Sequence, residues 1–245
     1  MAIREPWRMA FSHLRASFGD EWVSLNLACL RQVSVDDLEL LAQACDAGVN
    51  CPPTSSLGRL FDAVASVLNI RHRVRFEGQA ALMLEMLATR AASAEAMPFA
   101  IREAEPERFA GYPVLWGDLR GANVPAAPAT PFALILDYSP TMRAIVEGVR
   151  RRKPRAELAA GFHGALLTSF FEVAERAREV TSINTVALSG GCWQNRILSE
   201  RFPTMLREHG FEVFVHRLVP PNDGGLSLGQ AFIAARVAQA ARRSS

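Results

Sequence analysis

Twice near its end the chain carries an apolar strand into a glycine pair. The first junction is Thr185-Val-Ala-Leu-Ser-Gly-Gly-Cys-Trp-Gln-Asn195, and the second, one helix and one strand later, is Val219-Pro-Pro-Asn-Asp-Gly-Gly225. Strands separated by helices in this way predict a largely parallel sheet with helices on its faces. Ligands collect at the carboxyl edge of such sheets. A glycine pair opening a helix leaves backbone N–H groups to meet an anion, and the Asn-Asp-Gly-Gly turn presents a carboxylate at the same edge. Together they suggest a phosphate cradle with a metal-binding acid beside it.

At 245 residues the chain suffices for one large domain or two small ones. Hydrophobic residues make up 49% and charged residues 21%, a soluble globular balance. A net charge of +2 argues for neither nucleic acid nor a membrane surface. No apolar run reaches the length of a membrane span, and the charged, proline-bearing start is unlike a secretory signal. Cys29, Cys45, Cys51 and Cys192 form no Cys-x-x-Cys pair. They are expected to be free thiols in a reducing cytoplasm.

The first part reads as helical. Trp7, Ala10, Phe11 and Leu14 share one face of a helix from Glu5 to Phe18. Ser34 is expected to cap Val35–Cys45, closed by Gly48. Ser55 or Ser56 is expected to cap a helix striped by Leu57, Leu60, Phe61, Val64, Val67 and Leu68. A further helix runs from about Gly78 to Thr89. Prolines then punctuate the chain to Pro131, with strands expected at Tyr112–Trp116 and Phe132–Asp137 and a loop at Ala122–Thr130. Ser139 is expected to cap a helix to Arg150, and Ala156–Val180 is a long amphipathic helix. Strand Asn184–Leu188, helix Gln194–Glu208, strand Glu212–Leu218 and helix Leu226–Ala241 complete the pattern.

Each chemical motif has an ordinary alternative. Ser189-Gly190-Gly191 lets backbone amides converge on phosphate oxygens, or is a tight strand-to-helix turn. Asn195, about one turn into the next helix, can bond the same ligand. Asp223 is a donor for a hard cation or for iron, or the helix cap of an ordinary turn. Asp62 can accept from two ribose hydroxyls, or is a solvated helix position. Glu77 is a ligand contact or an acid at a helix N-terminus. His163 lacks a partner at metal-ligating spacing and reads as a packing or capping residue at the opening of its helix. Arg150-Arg-Arg-Lys153 reads as a solvated helix end.

Five segments in order carry a family resemblance: Ile3-Arg-Glu-Pro-Trp-Arg8, Ser55-Ser-Leu-Gly-Arg-Leu-Phe-Asp-Ala-Val-Ala65, Phe76-Glu-Gly-Gln-Ala80, Leu188-Ser-Gly-Gly-Cys-Trp-Gln-Asn195 and Val219-Pro-Pro-Asn-Asp-Gly-Gly-Leu-Ser-Leu-Gly-Gln230. Over essentially its whole length the chain resembles the carboxy-terminal part of the HypF family, the [NiFe]-hydrogenase maturation carbamoyltransferases. That resemblance implies an α/β fold, an actin-like ATPase (ribonuclease-H-like) lobe with a mostly helical N-terminal part. Residues 1–110 would be the helical part with ribose-side contacts. Residues 111–245 would be the α/β lobe with phosphate loop and metal acid. Gly58, Asp62, Glu77 and Gly78 would serve the ribose side of ATP or carbamoyl-adenylate. Ser189, Gly190, Gly191 and Asn195 would line the nucleotide and phosphate site. Asp223 would ligate a divalent metal (iron, zinc or magnesium), and no catalytic residue is assigned.

The implied activity is transfer of a carbamoyl group, from an adenylate made with carbamoyl phosphate, to the carboxy-terminal cysteine of a HypE-like acceptor. HypF-type chains also carry upstream domains and a His-x-x-x-His metal motif that are not found here. The chain is therefore read as a fragment or split-gene product, a cytoplasmic partner of the missing HypF domains that is inactive alone. Two alternatives stand beside this: an O-carbamoyltransferase of the nodulation or antibiotic-tailoring type, and a non-catalytic nucleotide-binding or docking subunit. A tRNA-directed role lacks the basic stripe it would need.

Overall fold

The computed structural model describes residues 1–103 and 134–243. The strand expected at 112–116 and the loop expected at 122–130 lie outside them. The chain divides into two compact units. One comprises Met1–Ala100, Asp137–Thr168 and Asn195–Ile197, and the other Ile101–Leu136, Ser169–Gln194 and Leu198–Ser245.

The first unit is helical. Helix α1 (Pro6–Phe18) starts with proline at its first position, where the missing N–H costs nothing. Its Trp7, Ala10, Phe11 and Leu14 are all buried, as their spacing requires. They pack toward α4 (Leu57–Val67), which has no solvated face beyond its first turn, because Leu60 through Leu68 are all buried. Two short pieces lie between, a 3-10 turn (Gly19–Ser24) and α2 (Ala28–Arg31), both below the length at which periodicity is legible. Helix α3 (Val35–Asp46) is capped as expected, with Ser34 Oγ accepting the Asp37 N–H at 3.2 Å. Helix α5 (Gln79–Ala88) follows Gly78.

Two expected caps differ. Ser56 stands at the cap position of α4, but its side chain accepts no backbone N–H there. Ser139 is the first residue of α6 (Ser139–Arg150) rather than its cap. Asp137 Oδ1 instead accepts the Ser139 N–H at 2.9 Å, the two-residue reach natural to an aspartate side chain.

Helix α7 (Arg155–Thr181) contributes residues 155–168 to this unit. Its Gly161 and Gly164 let segment 95–97 lie directly on the helix. A Cβ at Gly161 would stand 2.9 Å from the Glu95 carbonyl oxygen, and one at Gly164 would stand 3.0 Å from Ala96 Cα. The Gly161 carbonyl meanwhile accepts the Met97 N–H at 3.1 Å.

In the second unit, β1 (Ala100–Glu103) pairs with β2 (Leu134–Asp137), and β3 (Thr185–Leu188) pairs in parallel with β4 (Glu212–Val215). The expected single sheet is thus two separate pairs among the described residues. Between β3 and β4 run a 3-10 turn (Gly191–Gln194) and α8 (Arg196–Glu208). Phe170 on α7 meets Phe202 edge-on at 6.0 Å, and Trp193 stacks on Phe202 at 5.4 Å. The last helix, α9 (Leu226–Arg243), begins at the expected residue. Its Leu226, Leu228, Phe232, Ile233 and Val237 are each more than half exposed, an apolar surface without cover among the described residues. Helices this apolar are ordinarily packed.

Gly161→Ala forces a side chain against backbone rather than against a flexible tip, so it is expected to destabilise the protein by about 1–3 kcal/mol. Urea unfolding checks this, with Gly58→Ala as control, since a Cβ there meets only Ser56 Oγ at 3.6 Å.

Candidate functional site

In the first unit the candidate residues gather around the start of α4 and the turn before α5. The Ile3–Arg8 segment holds that turn in place. Trp7 N–H donates to the His72 carbonyl at 3.4 Å, and Val74 N–H donates to the Arg4 carbonyl at 3.0 Å. The Glu5 carboxylate sits between Arg8 at 2.5 Å and Arg73 at 3.4 Å. The hydrogen bond from Arg8 leads the effects that hold Glu5 below its ordinary pKa. At the far end Asn69, with φ of 54°, turns the chain out of α4, and Gly78, with φ of 78°, turns it into α5. A Cβ at Gly78 would meet nothing within 4 Å, so the backbone conformation alone asks for glycine. Gly78 and Glu77 are exposed.

Asp62 departs from the solvated-position reading, because it is only 2% exposed. Arg59 Nη1 lies 2.8 Å from Asp62 Oδ2. The pair is close in distance but misses the alignment of a hydrogen bond, which leaves both atoms buried without one. Burial pushes the Asp62 carboxyl up to about 6; the Arg59 guanidinium opposes that rise and the Glu77 carboxylate adds to it. Asp62 therefore keeps a buried oxygen that is paired with Arg59 in charge but not in a hydrogen bond, and burial raises its proton affinity. Arg59, three residues before it on the same helix, was legible as an i,i+3 partner but did not enter the sequence reading.

Asn195 lies in the first unit, 8% exposed, immediately before α8 rather than one turn inside it. Its Nδ2 stands 3.1 Å from His163 Nε2. His163 is 1% exposed, two turns inside α7 and not at its opening. Its Nδ1 faces the Ala159 carbonyl at 2.8 Å, and Phe61 and Phe162 stand edge-on to the ring. A carbonyl accepts only, so Nδ1 carries the proton and Nε2 accepts from the Asn195 amide. The packing role expected of His163 holds, with Asn195 as an unforeseen partner.

In the second unit, the two glycine junctions meet. Gly190, at φ of 106°, donates its N–H to the Pro221 carbonyl at 2.7 Å. That amide is therefore committed to holding the loops together rather than to an anion. Gly191 faces Asn222, whose Cβ lies 3.9 Å from where a Gly191 Cβ would be. Asn222, not Asp223, is the cap, because its Oδ1 accepts the Gly224 N–H at 3.0 Å and leaves Asp223 exposed. Gly224 has no room for a side chain, since a Cβ would stand 2.9 Å from Pro220 Cγ. Ser189 Oγ lies 3.0 Å from His216 Nε2. This contact follows from the strand register: Leu188 pairs with Val215, which sets the next residues side by side. Alongside is a cleft of about 360 Å³ between α8 and the exit of β4, lined by Trp193, Glu200, Arg207, His216 and Arg217 among others.

A divalent ion at Asp223 needs several further donors. Among the described residues no three His, Cys, Asp or Glu side chains converge, so these residues do not by themselves make the expected iron, zinc or magnesium site.

With this geometry in place, likeness to known proteins decides the family. The family described as carbamoyltransferase, Kae1-like domain, second subdomain, matches residues 1–230. The chain belongs to that family. Carbamoyltransferase HypF2 of Cupriavidus necator is 34% identical over 237 residues, covering 95% of this chain and 28% of its own length. A carbamoyltransferase HypF homolog of the same organism is 34% identical over 241 residues, covering 98% of this chain and 55% of its own. A crystal structure of full-length HypF in the phosphate- and nucleotide-bound form superposes with a TM-score of 0.79 at 31% identity, over 96% of this chain and 32% of that one. HypF from T. kodakarensis shares the fold at a TM-score of 0.71. The HypF resemblance of the five motifs therefore holds, although the chain spans only about a quarter to a half of these curated relatives. No helix among the described residues is long and apolar enough to cross a membrane.

A folded protein that keeps the Asp62 proton to about pH 6, against 3.8 for the ordinary carboxyl, loses stability as pH rises through that window. Asp62→Asn, which stands in for the protonated form, is accordingly expected to be more stable than the parent at pH 7.5, by up to about 3 kcal/mol for the full shift. The advantage should shrink to nothing below pH 4. Denaturant titrations at both pH values check the sign.

Proposed function

We propose that the chain is the nucleotide-handling carboxy-terminal part of a HypF-type carbamoyltransferase. It would work in the cytoplasm on [NiFe]-hydrogenase maturation, as an actin-like, ribonuclease-H-like lobe with a helical N-terminal part. The observation that carries this reading is the bond from Gly190 N–H to the Pro221 carbonyl. It seats the Ser189–Gly191 bend against the Asp223 turn at the carboxyl edge of a parallel strand pair, where such folds take phosphates. The nucleotide bound in the full-length HypF structure supports it.

In this reading Gly58, Asp62, Glu77 and Gly78 serve the ribose side. The buried Asp62 oxygen that lacks a hydrogen bond is the natural acceptor for a ribose hydroxyl once Arg59 or Glu77 yields. Ser189, Gly190 and Gly191 shape the phosphate side within the second unit, whose Asn222–Gly225 turn also carries Asp223 as the proposed metal acid, and Asn195, in the first unit, is proposed as a further nucleotide contact. A bound metal would supply polarisation of the carbamoyl group. The acceptor thiolate of a HypE-like protein attacks the carbamoyl carbon, the new C–S bond forms, and AMP leaves with the C–O bond electrons.

The open apolar surface of α9 favours a chain that works together with the rest of a HypF-type protein rather than alone. Expected behaviour follows from that. Combined with a polypeptide carrying the remaining HypF domains, carbamoyl phosphate and ATP, the chain should add one carbamoyl group to the HypE cysteine, read by intact-protein mass. Alone it should add none. Gly190→Ala, which cannot hold φ of 106° without strain, should lower the rate by about 10- to 100-fold. Full activity of that variant, or transfer by the chain alone, contradicts the reading.

A further inference from the structure

The sulfurs of Cys45 and Cys51 lie 3.7 Å apart, six residues from one another and both half-buried. A hydrogen-bonded backbone turn returns the chain toward Cys45. At the end of α3, Gly48 N–H donates to the Cys45 carbonyl at 3.2 Å and Val49 N–H donates to the Ala44 carbonyl at 2.9 Å. Gly48 and then Asn50 take left-handed conformations, at φ of 66° and 53°, and together they reverse the chain so that Cys51 returns beside Cys45. The helix end itself is anchored. Arg15 of α1 donates to the Asp46 carboxylate at 3.0 and 3.1 Å and to the Ala42 carbonyl at 3.3 Å.

The other two thiols are placed differently. Cys29 is fully buried, and burial pushes it up to about 12, far from reactivity. Cys192 belongs to the second unit, in the turn before α8.

From this juxtaposition we propose that Cys45 and Cys51 are a redox-active dithiol that closes to an intramolecular disulfide. With glutathione disulfide as oxidant, one thiolate attacks a glutathione sulfur and releases one glutathione thiolate, leaving a mixed disulfide. The neighbouring thiolate, already in contact, attacks the protein sulfur of that mixed disulfide and expels the second glutathione. In sum two cysteine thiols are oxidised to one disulfide, and one glutathione disulfide is reduced to two glutathione molecules. Burial and the Cys51 thiol hold Cys45 above its ordinary pKa, so closure should be slow at neutral pH and quicken in mild alkali.

The position gives the bond a consequence. Cys51 opens the Pro52–Ser56 connection into α4, the helix that carries Gly58, Arg59 and Asp62. Closing the disulfide shortens the freedom of that connection where it enters the candidate ribose side. The pairing itself stands whether or not the ribose assignment does.

The test is to incubate the full chain with excess glutathione disulfide at pH 8, quench with acid, then count free thiols by alkylation in denaturant, which opens the buried Cys29, and map linked peptides by mass spectrometry. The expected result is a fall from four alkylated cysteines to two, with Cys45 joined to Cys51 and the pair reopened by dithiothreitol. Cys45→Ser should instead accumulate a stable glutathione adduct on Cys51. Four thiols still alkylated after incubation, bonds that involve Cys29 or Cys192, or stable adducts on both cysteines of the parent chain would overturn the proposal. Circular dichroism of the oxidised protein keeps an unfolding artefact apart from native closure.

Discussion

A carboxylate enclosed by packed helices costs several kcal/mol unless a partner answers it, and in the first unit the partner is Arg59, 2.8 Å from Asp62 and poorly aligned. Because α4 is buried along almost its entire length, the acid cannot turn outward. The surrounding parts are arranged about it: Glu77 near enough to raise its proton affinity, Gly78 starting α5, and the Ile3–Arg8 segment holding the intervening turn by two backbone hydrogen bonds. A core built for stability alone would put an apolar residue here. Buried acids retained against that cost concentrate at functional sites.

The second unit solves a different problem with backbone alone. Two loops that end parallel strands must be held still if they are to face one ligand. The Gly190 N–H bonded to the Pro221 carbonyl does this without spending a side chain. Glycine is needed at Gly190 for its φ and at Gly224 for its lack of a Cβ, two separate reasons for the two glycine pairs. Asn222 caps the turn, so Asp223 is left unencumbered. The same economy leaves Ser189 and His216 beside one another simply because they are the next residues along a parallel register.

Much of this was legible in the residues. The apolar spacing of α1, the Ser34 cap, the start of α9 and the run from β3 into the Gly190–Gly191 bend rest on local chemistry, and the structure keeps them. The strand expected to reach Leu218 instead ends at Val215, short of the prolines and the second glycine pair. What escaped was tertiary. Whether Asp62 is solvated depends on what covers its helix, and a half-polar stripe does not tell that Leu60 through Leu68 are buried throughout. The contact of Asn195 with His163 joins residues 32 apart and has no local signature. At α6 Tyr138 holds the cap position without a side-chain bond while the Asp137 carboxylate accepts the Ser139 N–H, a contact set by the chain's bend out of β2, and the four residues of β1, lying among prolines, carry no readable alternation.

The most direct test is an amide-resolved NMR titration of the chain with a non-hydrolysable ATP analogue. The account predicts that the largest shifts fall on the amides of Gly78 and its neighbours and on those of Ser189, Gly191 and Asp223, and that Asp62→Asn weakens the first group more than the second. Shifts confined to other surfaces, or none at saturating nucleotide, would contradict it.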